Sequence, residues 1–336
     1  MQKWRTWQWL FVAALIAMAL ALGACGDDDS DAATTTPTAT RAADETPAPS
    51  PTPEPASAYP VTVTDLLGRT VTIEAKPERV VALSPTAAEM VYAAGATIIG
   101  RTSSVDYPPE AVEAADVGTA YQPSFEQILA LEPDLVVADS VIQARPDLMG
   151  PIEQLGVPVV FAGAESLDDV IAGLALMGKV FDEADTTASV IAEIEAALDE
   201  ARAALSDSDV SAVILITDRD QVLYAAKDDS FAGDVLKQLG IENPAATQPD
   251  SGPFPGYTTV APETLLAFNP TFIFTITPAP VGPRLSELVK QIPPFAGLEA
   301  VQQDRVVELD LQVFLQAPGP RIVEAFAAIA EAVAGT

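Results

Sequence analysis

The chain contains no histidine, and its one cysteine is Cys25. Those facts remove the imidazole base and, beyond Cys25, the thiolate nucleophile from any chemistry the protein could perform. Zinc sites of the usual histidine and cysteine type are excluded with them. What remains is carboxylate: 48 Asp and Glu against 17 Lys and Arg, a formal net charge of -31. Two of these acids stand out by their spacing. FEQILALEPDLVV (125–137) and PETLLAFNPTFIF (262–274) match at a constant offset of 137 residues, pairing Glu126 with Glu263, Leu129 with Leu266, Ala130 with Ala267 and Pro133 with Pro270. In each segment an acid opens a short helix, where the helix dipole favours it, a proline ends the helix, and an apolar strand follows. Two carboxylates facing one cleft could act as a hydrolytic acid–base pair, so a secreted hydrolase is one function class. No nucleophile motif accompanies them, and no catalytic residue is assigned.

The N-terminus reads as an export signal. Lys3 and Arg5 precede an apolar run from Leu10 to Leu22, shorter than the ~20 residues of a membrane span. The run ends in Leu22-Gly23-Ala24-Cys25, which resembles a bacterial lipobox, so Cys25 is the expected lipidation site after removal of residues 1–24. A lipidated cysteine anchors a chain without spanning the bilayer, which places the mature protein outside the cytoplasm on the cell membrane. Residues 25–59 hold Asp27 to Asp29 and then Thr, Ala and Pro with almost no large apolar side chain, the composition of a disordered tether. The strong negative charge repels nucleic acid, which is not expected as a partner.

From Val61 the pattern becomes that of a folded protein. VTVTD and TVTIE around Leu67-Gly68-Arg69 predict an opening hairpin. Short apolar strands then alternate with helical stretches: 79–84, 97–101, 134–139 and 157–162 in the first half, 212–217, 272–277 and 305–309 in the second, with a last helix from Pro320. Continuous apolar runs separated by helices imply parallel sheets covered on both faces. Between the halves, Thr186 to Leu205 has neither Pro nor Gly and repeats apolar residues at helical spacing. The expected architecture is α/β. Two Rossmann-like lobes, 60–183 and 208–336, have central, mainly parallel sheets, are joined by a rigid helix over 184–207, and leave a ligand cleft between them.

The segments VTDLLGRTVTIEAKPERVVALSPTAAEMVYAAG (63–95), SSVDYPPEA (103–111), PSFEQILALEPDLVVA (123–138), YAAKDDSFAGDVLKQLG (224–240) and Pro320-Arg321 resemble, in order, the periplasmic-binding proteins of iron-siderophore and cobalamin ABC importers. The resemblance implies a monomeric, non-enzymatic binding lipoprotein with no cofactor of its own. It would capture a metal chelate, a ferric siderophore or cobalamin, and deliver it to an ABC permease dimer with its ATPase subunits. It further implies that Glu126 and Glu263 dock on permease arginines. Heme import and a non-transport surface receptor are the alternatives. Cleft residues should lie on loops after the strands, with Ser84, Arg101, Ser104, Tyr121, Arg219, Tyr257 and Phe314 as candidates. Tyr257, six residues before Glu263, matches an aromatic that packs on the corrin in cobalamin-binding members.

Overall fold

The computed structural model describes residues 58–139, 146–206, 209–278 and 282–335. The export signal, Cys25 and nearly all of the tether lie outside the described residues. Tyr59 is already tied to the fold, its hydroxyl donating to the Val180 carbonyl at 2.8 Å.

The opening hairpin is present, with β1 (Val61–Thr64) antiparallel to β2 (Thr70–Ile73). Asp65 fixes its turn. One carboxylate oxygen accepts from the backbone N–H groups of Leu67 and Arg69, and the other pairs with the Arg69 guanidinium. The first sheet follows: β3 (Val80–Ala82), α1 (Pro85–Ala93), β4 (Ile98–Arg101), β5 (Ala115–Asp116), a small β6–β7 hairpin (Gly118–Thr119 and Gln122–Pro123), α2 (Phe125–Ala130), β8 (Leu135–Ala138), α3 (Pro146–Glu153) and β9 (Val159–Phe161). Its order is β5-β4-β3-β8-β9, with every pairing parallel. β3, β8 and β9 are buried at every position, as the unbroken apolar runs required.

Two helices then run in succession. The first, α4 (Leu167–Val180), is capped by Ser166, whose hydroxyl accepts from Asp169 N. The second, α5 (Ala184–Leu205), is the 22-residue rod expected between the halves. It buries Thr187, Ile194, Leu198, Ala201 and Leu205 along one stripe, packed against α4 and the C-terminal helix.

The second sheet comprises β10 (Ala212–Thr217), β11 (Leu223–Ala226), β12 (Tyr257–Thr259), β13 (Phe272–Thr275) and β14 (Val306–Glu308), in the order β12-β11-β10-β13-β14. β10, β13 and β14 are parallel, while β11 and β12 join antiparallel on the other side. The helices here are α6 (Phe231–Gln238), α7 (Pro262–Phe268), α8 (Leu285–Gln291), α9 (Glu299–Gln302) and α10 (Ile322–Ala334). Gly233 on α6 lies against a backbone turn, and a Cβ there would fall 1.8 Å from the Lys227 carbonyl oxygen. Gly233→Ala is therefore expected to lose about 3 kcal/mol, read as a lower denaturation midpoint, because backbone cannot step aside as a side chain can.

The repeat of the sequence is a repeat of structure. β8 and β13 are each the parallel neighbour of their sheet's first strand, and α2 and α7 precede them. Glu132 and Asn269, again 137 residues apart, both take the left-handed backbone after their helix, with φ of 46° and 39°. Two residues on, Asp134 accepts from Glu78 and Arg79 N–H groups and Thr271 accepts from Ser211 N–H, each pinning the entry to the first strand.

Side chains also tie the two sheets' surroundings together. Asp234 on α6 accepts from Leu167 N at 2.8 Å, at the start of α4. Gln312 donates to Asp106 at 3.1 Å. Arg321 donates through Nε and Nη2 to one oxygen of Glu89 on α1, at 2.9 and 2.6 Å, and its guanidinium lies 4.4 Å from the centre of the Tyr107 ring. The Glu89 side chain is only 2% exposed, and its other oxygen has no hydrogen-bond partner. Burial pushes this carboxyl up to about 7, against the pull of Arg321.

Candidate ligand cleft and exposed carboxylates

Parallel strands point their carboxyl ends at one edge of a sheet, and loops leaving those ends can converge on a solute. Both sheets do this toward a single cavity of about 370 Å³. From the first sheet come Ser84 and Pro85 after β3, Ser104 after β4, Tyr121 at the tip of the β6–β7 hairpin, and Asp139 after β8. From the second come Ile216 and Thr217 ending β10, Tyr257 opening β12 with Phe254 just before it, Pro278 after β13, and Leu315 with Gln316 from the π-helical turn at 312–316.

Each wall has a local cause. Ser84 caps α1, accepting from Ala87 N at 3.0 Å, so its hydroxyl faces the helix start while the residue floors the cleft. Tyr121 is 59% exposed because a two-residue hairpin tip leaves nothing to pack on it. Phe254 is held edge-on between Tyr224, at 5.1 Å between ring centres, and Tyr257, at 6.4 Å. Tyr224 in turn donates its hydroxyl to Asp218 at 2.8 Å. The Tyr257 phenol is pushed up to about 12 by burial, with its hydroxyl on Ser230. It stays protonated at neutral pH and offers a ring, not a phenolate, to the cleft.

Four of the sequence candidates, Ser84, Ser104, Tyr121 and Tyr257, meet at this cavity. Three do not. Phe314 is 1% exposed and packs into the core; the turn that carries it sends its neighbours Leu315 and Gln316 to the cleft instead. Arg101 bends away, donating to the Val112 carbonyl at 3.2 Å and the Thr102 carbonyl at 3.2 Å, 3.9 Å from Asp116. That arginine fastens the short turn at 109–113 to β4. Arg219 sits exposed in the β10–β11 turn, apart from the residues that line the cavity. The main additions are Asp139 and Phe254. Asp139 ends a strand run just as Ser84 does, and Phe254 sits in the turn-rich SGPFPGY (251–257), signals that were in the sequence.

Glu126 and Glu263 do not reach the cleft. Both are exposed in the first turns of α2 and α7. One turn further along each helix stands an exposed leucine, Leu129 at 50% and Leu266 at 39%. The pairing of an acid and a leucine is thus presented twice, at matched places on the two halves.

A two-sheet α/β molecule with a solute-sized cleft at the strand ends has the place where such folds take a small molecule. The profile of the family described as Periplasmic binding protein matches residues 80–313, and the chain belongs to that family. It is 25% identical to the uncharacterized ABC transporter substrate-binding lipoprotein YvrC of Bacillus subtilis, over 82% of this chain and 86% of that one. It is 27% identical to a cobalamin-binding protein of Halobacterium salinarum, over 83% of this chain and 75% of the other. Among solved structures, Staphylococcus aureus SirA complexed with staphyloferrin B has the same fold, with a TM-score of 0.66 at 20% identity, covering 81% of this chain and 98% of SirA.

Proposed function

We propose that this protein is the solute-binding lipoprotein of an ABC importer. It captures a metal chelate of the ferric-siderophore or cobalamin type between its lobes, 60–183 and 208–336, and presents it to the permease. The observation that carries this reading is the cleft itself: both sheets aim their strand ends at one aromatic and apolar cavity, with Tyr121 on one side and Phe254 and Tyr257 on the other. The names of YvrC and of the Halobacterium protein support it. The chain would hang from the membrane by lipidated Cys25. Glu126 and Glu263, with Leu129 and Leu266 beside them, would form a two-point face for a two-fold permease, since a duplicated patch fits a duplicated receptor.

Native mass spectrometry of the protein purified from its own host tests the reading. A co-purifying solute is expected, and Tyr121→Ala should carry it about fivefold more weakly with an unchanged melting temperature, since the ring is exposed and makes its contact only with ligand. A protein that never holds a solute, or one that turns it into product, would remove the proposal.

A further inference from the structure

Phe254 reaches the cleft from a loop whose two ends are held by one residue. The loop, 250–256, reads DSGPFPG, and the prolines on either side of Phe254 each fix a backbone φ. Lys227, which follows β11, donates its backbone N–H to the Gly256 carbonyl at 2.9 Å and so closes the far end. Its ammonium pairs with Asp250 at the near end and lies 3.5 Å from Asp229. Lys227 is buried and Asp250 is exposed, so the pair draws a solvent-facing turn down onto a buried stem. Two neighbouring bonds reinforce the closure. The Thr258 hydroxyl donates to the Pro249 carbonyl at 2.9 Å, and the Ser251 hydroxyl accepts from Thr259 N–H at 2.7 Å. Within this frame Phe254 rests edge-on against Tyr224 and Tyr257.

Resting on the importer reading above, we infer that Lys227 is a positioning residue for the solute: it sets the Phe254 ring at the cleft wall before the solute arrives. An aromatic side chain on a loose loop must be ordered as it binds, and that cost is subtracted from affinity. A loop closed at both ends has met the cost on folding. The prolines stiffen the stretch between the ends, but they do not fix where it lies on the sheet. The two contacts of Lys227 do, because one side chain and its own backbone N–H tie Asp250 and Gly256 to the end of β11. Phe254 lines the cavity and Lys227 does not, so the lysine acts through the ring rather than by touching the solute.

The test is a double-mutant cycle on the mature protein, read by calorimetric titration with cyanocobalamin and with a ferric cyclic tris-hydroxamate. Lys227→Met keeps the side-chain stem and removes the ammonium, and it should weaken the probe that binds by about fivefold. Asp250→Ala breaks the same pair from its exposed side, where the fold does not depend on it, and should cost about as much. Phe254→Ala should cost about tenfold, and in that background Lys227→Met should change affinity by less than about twofold, because its effect runs through the ring. Amide exchange over 250–256 should quicken about tenfold in Lys227→Met and Asp250→Ala while β10 keeps its wild-type rate. Unchanged affinity in both variants overturns the positioning role, as does a Lys227→Met loss that persists in full without Phe254. Either result leaves the importer reading in place. Binding of neither probe by folded wild-type protein defeats the chelate reading, and the positioning role with it.

Discussion

Replacing Glu126 and Glu263 together by alanine is expected to abolish solute uptake while leaving solute affinity unchanged within about twofold. Both carboxylates are exposed on short helices and take no part in the cleft, so neither folding nor capture depends on them. In a docked complex each would meet a cation across a water-poor contact, where such pairs couple by about 1.5 kcal/mol or more. Losing two weakens docking by about a hundredfold. Either single variant should keep part of the transport, because the second lobe still engages. Leu129→Ser with Leu266→Ser should cost about thirtyfold, since each half-exposed side chain contributes about 1 kcal/mol on burial. Uptake by the double glutamate variant at the wild-type rate would dismiss the docking face.

The second large effect lies at the ion pair between Glu89 and Arg321. Arg321→Ala strands a carboxylate that is 2% exposed, and the expected loss at about pH 8 is about 3 kcal/mol, visible in chemical denaturation. The sign of the pH dependence follows from the raised pKa. Glu89 sits at about 7 when folded and near the ordinary carboxyl value when unfolded. Its protonated form therefore favours the native state at low pH, and that contribution is lost as pH rises through about 7. Wild-type stability should fall by up to about 3 kcal/mol from this group between about pH 4 and about pH 8, and Glu89→Gln should flatten that part of the curve. The cost of Arg321→Ala should shrink at about pH 5, where Glu89 carries its proton with or without the arginine. A cost independent of pH would mean that the arginine acts through its packing on Tyr107 rather than through charge.

The apolar cores of 212–217 and 134–139 declared themselves in the sequence because a strand buried on both faces is filled almost wholly by apolar side chains. The rod at 184–205 was equally plain, since twenty residues free of Pro and Gly with a narrow apolar stripe can be little else. β11 and β12 were not legible: Leu223–Ala226 is four residues long, and Tyr257–Thr259 is shorter still and follows a loop of turn residues. They make the second sheet antiparallel along one side. The helix at 167–180 was missed because its glycines, Gly173 and Gly178, look like breaks. They are instead close approaches, to Met90 and to Thr187, that let α4 pack against α1 and α5. At the site, the rule that loops after strands line the cleft led to Ser84, Ser104, Tyr121 and Tyr257, which stand at the cavity. Arg101 and Arg219 stand apart from that cavity, because spacing cannot tell which carbonyl or solvent a long side chain will choose. Phe314 is buried instead, because in the π-helical turn its neighbours Leu315 and Gln316 face the cavity.

The claim on which the rest depends is that solute is held between the two lobes at their strand ends. A crystal structure of the mature protein with the tightest-binding chelate tests it directly. The account predicts the chelate seated between Tyr121 from the first lobe and Phe254 and Tyr257 from the second, touching both. A ligand bound to one lobe alone, or in the separate 430 Å³ hollow beside Tyr107 and Arg321, would contradict it.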